Sequence, residues 1–78
     1  MKKLTSRTET RRAIENGSIN IGTWITTTEG IFEVTWVDSE YEIPVEVREV
    51  IFDDEDFDKY SLGDEHRWTV SDLIGAEI

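Results

Sequence analysis

The chain has no cysteine, one proline, one histidine and one methionine among its 78 residues. Without cysteine there is no disulfide and no thiolate metal site, so packing and hydrogen bonding must hold the fold. The redox compartment is left undecided by the same absence. No apolar run approaches the ~20 residues of a membrane-spanning helix. The basic N-terminus is not followed by the apolar stretch of a secretory signal. The expectation is a cytoplasmic protein with no membrane association.

Positive charge is scarce beyond the first turn or two of chain. Residues 1–12 carry Lys2, Lys3, Arg7, Arg11 and Arg12 against Glu9, a net of +4. Residues 13–78 carry 17 acids against Arg48, Lys59 and Arg67, a net of −14. A body this negative repels nucleic-acid phosphates and anionic lipid, and it attracts basic proteins over a Debye length of about 8–10 Å. Direct nucleic-acid binding is therefore not expected. A chain of this length forms one domain, burying only about 60% of the surface its unfolded form exposes. Three tryptophans and three phenylalanines must supply much of the core, since aromatics bury the most area per residue.

Enzymatic motifs are missing too. There is no glycine-rich phosphate loop, and the lone His66 sits at a strand end. Ser61, Asp64 and His66 form a triad only on paper, because triads are defined by geometry. No catalytic residue and no cofactor are implied.

What is present is a pattern of strands. Residues 1–17 read as a basic helical arm, preceding an acidic β domain over residues 18–78. Ser6 and Glu9 fit a capping box and Gly17 a helix stop, which predicts a helix over about Arg7–Asn16. Leu4, Ala13 and Ile14 are too few for a buried stripe, so the arm is expected to fray or dock loosely. Thr23–Thr28 is rich in β-formers, and Glu29-Gly30 marks a hairpin turn. Ile31–Val37 places Phe32, Val34 and Trp36 on one face. In the third strand Tyr41, Ile43, Val45 and Val47 alternate with Glu42, Pro44, Glu46 and Arg48. Pro44 cannot donate to a ladder, which puts it at an edge or bulge. A bulge near Glu49 would turn Val50 and Phe52 inward. Asp53–Glu65 reads as a long polar connection, His66–Val70 as a fourth strand, Ser71–Ile74 as one capped turn, and the final Ala-Glu-Ile as a minimal fifth strand. The expected core is Trp24 or Ile25, Phe32, Val34, Trp36, Ile43, Val45, Val47, Trp68, Val70, Leu73 and Ile74.

This order of elements resembles an SH3-like small barrel. The fold class expected is mainly β: a five-stranded antiparallel barrel with a short N-terminal helical arm. The alternative is α+β, a three- to four-stranded antiparallel sheet with one helix packed on it.

The acidic run carries the functional expectation. Asp53, Asp54, Glu55, Asp56 and Asp58 surround Phe57 and are followed by Tyr60. Exposed acids steer a basic partner, and an aromatic can supply the anchor. Glu40, Glu42 and Glu46 would extend this partner-binding surface along the third strand. Carboxylates so spaced can stand in for phosphates, which predicts a non-enzymatic binder that inhibits or modulates a nucleic-acid-binding protein. In size, acidity and lack of cysteine the chain is similar to small phage-encoded inhibitors of restriction or CRISPR machinery. The alternative function is a structural module of a larger assembly, its acidity serving solubility. Asp54, Asp56, Asp58 and Glu65 also fall at calcium-loop positions 1, 3, 5 and 12. Lys59 stands where that loop needs glycine, and the flanks are strands. Exposed sheet edges leave homodimerisation by strand pairing open.

Overall fold

A computed structural model describes residues 2–78. Its elements are α1 (Arg7–Glu15), β1 (Trp24–Thr27), β2 (Gly30–Val37), β3 (Val45–Phe52), β4 (Tyr60–Trp68) and α2 (Val70–Leu73). The four strands form one antiparallel sheet in the order β1-β2-β3-β4. The fold is mainly β, with a short helix toward each end of the chain.

The sheet is open, not the closed five-stranded barrel expected. The terminal segment does add to the sheet, but on the β1 side. Glu77 exchanges both backbone hydrogen bonds with Thr26, at 2.8 and 2.9 Å. Residues 2–4 then pair with the outer side of residues 76–78, through Lys2–Ile78 and Leu4–Ala76 bonds of 2.8–2.9 Å. Both chain ends are thus consumed at one edge, and β4 is left as the other.

Helix α1 begins where its cap predicts. The Ser6 hydroxyl accepts from the Glu9 N–H at 3.1 Å, and Glu9 reaches back to the Thr5 N–H. Gly17 at φ +84° follows the last turn, a left-handed position that glycine adopts without a Cβ penalty. The helix is not a loose arm. Leu4, Thr10, Ala13 and Ile14 are buried, and Leu4, Ala13 and Ile14 share a cluster with Ile19, Ile25, Phe32, Val34, Val45, Val47, Val70, Leu73 and Ala76. The stripe is wider than apolar residues alone suggest because Thr10 belongs to it. Its hydroxyl donates to the Ser6 carbonyl at 2.8 Å, so no polar group is left unpaired.

Other expectations are corrected or narrowed by the structure. The extra residue Thr35 between the pairs Val34–Val47 and Trp36–Glu46 switches the alternation of β2. Val37 therefore packs against the core, and Trp36 turns to the opposite face. Of Trp24 and Ile25, it is Ile25 that is buried. The third strand starts only at Val45. Pro44 is buried just before it, its carbonyl accepting from Asp38 N–H at 2.8 Å, and Ile43 stays 44% exposed in the preceding bend. Ile74 is exposed too, because α2 ends at Leu73.

The bulge expected near Glu49 exists, with its extra residue on the partner strand. Arg48 pairs with Glu65 and Val50 with Leu62, so Gly63 and Asp64 together oppose Glu49. β3 itself keeps alternating. Val50 is buried, but outside the helix-covered core cluster. By its register it belongs to the face away from the helices. The long polar connection also shrinks: residues 60–65 are strand, and only Asp53–Lys59 form the loop.

Candidate functional site: the acidic tip of the β3–β4 hairpin

The β3–β4 hairpin ends in the loop Asp53–Lys59. The loop is folded by its own acids. Asp53 Oδ1 accepts from Glu55 N–H at 2.9 Å, and Asp56 Oδ1 from Asp58 N–H at 3.0 Å, two Asx turns in succession. Backbone bonds Asp53 N–H to Lys59 carbonyl and Lys59 N–H to Asp56 carbonyl, 2.9 and 3.0 Å, close the loop. Asp54, Glu55 and Asp58 have no hydrogen-bond or ion-pair partner for their carboxylates among the described residues. The single pair, Lys59 to Asp56 at 3.8 Å, is solvent-exposed and worth little. Phe57 lies among these charges with 78% of its surface exposed.

The base of the hairpin is held from the side. Trp24, Phe52 and Tyr60 pack edge-to-face, with ring centroids 5.1–6.4 Å apart. Trp24 Nε1–H and the Tyr60 hydroxyl both donate to Glu33 Oε1, at 3.0 and 2.9 Å. The hydrogen bond to Glu33, then its charge, then partial desolvation, raise the Tyr60 pKa above its ordinary value of 10.0. Tyr60 was expected to act with Phe57 as a partner anchor. Its ring packs on Trp24 and its hydroxyl donates to Glu33 while it stays 45% exposed, against 78% for Phe57.

The remaining expected residues are not gathered at the tip. Glu40 and Glu42 lie in the β2–β3 loop, at the opposite end of β3. Eight strand residues separate the two loops, about 23 Å at ~3.3 Å per residue. Glu46 is near that opposite end as well, ion-paired to Arg67 at 3.1 Å. The acidic surface is therefore two patches rather than one.

The calcium-loop and triad spacings do not survive folding. Glu65 is in β4, paired with Arg48 and 3.6 Å from Arg67, about 17 Å along the strand from Tyr60. No grouping of three or more acids or histidines poised around a metal occurs among the described residues. His66 stacks edge-on against Phe32, 5.5 Å between centroids. Ser61 is five strand positions away, opposite Ile51. No described helix is long and apolar enough to cross a membrane.

Comparison with known proteins finds no family model, no curated protein and no solved structure that matches the chain.

Proposed function

We propose that this chain is a protein-binding module that presents the β3–β4 tip to a basic partner. The observation that carries the reading is Phe57, exposed at 78% in a loop of five carboxylates and one lysine. An aromatic ring left in water gains most when a partner covers it. The unpaired Asp54, Glu55 and Asp58 supply long-range attraction and raise the association rate. Two Asx turns hold the loop in shape before binding, which lowers the entropy lost on association. The concrete form is an inhibitor or modulator of a nucleic-acid-binding protein, its carboxylates occupying positions that phosphates would take in the basic site.

A second reading, a module of a larger assembly, draws on the exposed Ile51, Phe52 and Ile43. The two separate by salt. The tagged chain is used as bait in nuclease-treated lysate at low and moderate ionic strength, beside a variant carrying Asp54→Lys, Glu55→Lys and Asp58→Lys. Tip recognition predicts a basic protein retained at low salt, released by added DNA, and lost with the variant. A partner held equally by the variant and at high salt favours the assembly module.

A further inference from the structure

We propose that the groove between Trp36, Tyr41 and Ile43, on the sheet face away from the helices, receives an arginine side chain of a basic protein. This contact is separate from the tip and stands or falls without it.

The groove exists because of two backbone features. The extra residue at Thr35 turns Trp36 out of the core. The β2–β3 loop is clamped by Asp38, whose N–H donates to Pro44 and whose carbonyl and Oδ1 accept from Tyr41 and Glu40. That clamp sets Tyr41 beside Trp36, ring centroids 5.4 Å apart and planes at 71°, so the rings form a corner. Tyr41 is 63% exposed and Ile43 44%. The groove measures about 510 Å³ and is completed by Glu42, Glu46 and Arg67.

Charge selects the occupant. Arg67 is engaged with Glu46 at 3.1 Å and Glu65 at 3.6 Å. Glu42 has no ion pair among the described residues. An apolar segment seated here would strip water from Glu42 with nothing in return. A phosphate would be repelled by it. An arginine fits the walls other than Arg67, whose charge Glu46 and Glu65 offset: its stem lies on Ile43, its planar guanidinium over an aromatic face, and its N–H fork on the Glu42 carboxylate. Lysine offers no plane to stack.

The test is a nuclear magnetic resonance titration of the full chain with N-acetyl-arginine N-methylamide, against the uncharged citrulline analogue. Expected is a saturable shift of the Trp36 indole N–H and of the Tyr41 and Ile43 amides. The citrulline analogue should bind about two- to fivefold more weakly. Glu42→Gln should weaken arginine binding by a similar factor, and Arg67→Gln should strengthen it by releasing Glu46. Tyr41→Ala, at an exposed position where the melt should not change, should abolish saturation. Asp54→Asn in the tip should leave the titration as it is. Shifts that do not saturate, that match those from citrulline, or that centre on residues 53–59 overturn the proposal.

Discussion

The two ends of β3 are made of similar residues and meet different fates. At one end Val45 and Val47 are fully buried, beneath a cluster built from α1, α2 and both chain termini. At the other, Ile51 and Phe52 remain partly in water, and the acidic loop follows. Both helices are spent on the first half, while the paired chain ends extend the sheet beside β1. The second half stands on strand pairing and one aromatic cluster, Trp24–Phe52–Tyr60. Stability is concentrated on the helix-covered face of the sheet. Charge and exposed ring surface lie outside that cluster, at the tip and in the β2–β3 loop, the division expected when a rigid body positions binding loops.

The contrast can be broken most strongly from the covered half. Leu4→Ala removes a fully buried side chain from the shared cluster and should cost about 2–5 kcal/mol in chemical denaturation. A frayed arm would lose almost nothing at that position, so a cost under about 0.5 kcal/mol would detach α1 from the core.

A smaller effect is expected at the base of the hairpin. Tyr60→Phe keeps the ring and deletes the solvent-exposed bond to Glu33, and should lower stability by less than Leu4→Ala does. The contribution also depends on pH in a defined direction. The folded-state pKa of Tyr60 is raised above 10.0, so the bond's contribution is present below pH 10.0 and fades as pH climbs through the higher folded value. The stability gap between wild type and Tyr60→Phe should therefore narrow in alkaline solution. A gap constant across that range would show that the hydroxyl contributes nothing through Glu33.

The smallest stability effect belongs to the tip. Phe57→Ala, or Asp54→Asn with Glu55→Gln, should change unfolding free energy by no more than about 0.5 kcal/mol. These groups touch little of the body. A large loss would mean the loop is structural, and the division between the two halves would disappear.

The covered half was legible in the sequence where alternation or capping governs. Phe32, Val34, Val45 and Val47 follow strict period two, and Ser6, Glu9 and Gly17 mark the helix ends. Four things were hidden. Thr10 completes the buried stripe of α1 through a hydroxyl bonded to the backbone, and a hydropathy pattern cannot register that bond. Thr35 is one of many threonines, and nothing in its residue type announces the bulge that sends Trp36 outward. Most of β4 was obscured by charge, because Asp64 and Glu65 are ordinary residues of an exposed edge strand that read as loop. Barrel closure depended on where the terminal residues pair, a long-range choice that local pattern does not encode. Of the candidate site, the contiguous acids and Phe57 were legible as a run. The engagement of Tyr60 with Trp24 and Glu33, and the distance from Glu40 and Glu42, required the fold.

The central claim is that the tip is free to bind because it does not hold the molecule together. The most direct measurement pairs capture of partners from lysate with thermal unfolding, for wild type and for the Phe57→Ala variant with Asp54→Asn and Glu55→Gln. The account predicts matching melts, a basic protein retained by the wild type, and its loss with the variant. A variant that melts like the wild type and retains the same protein to the same extent would contradict it.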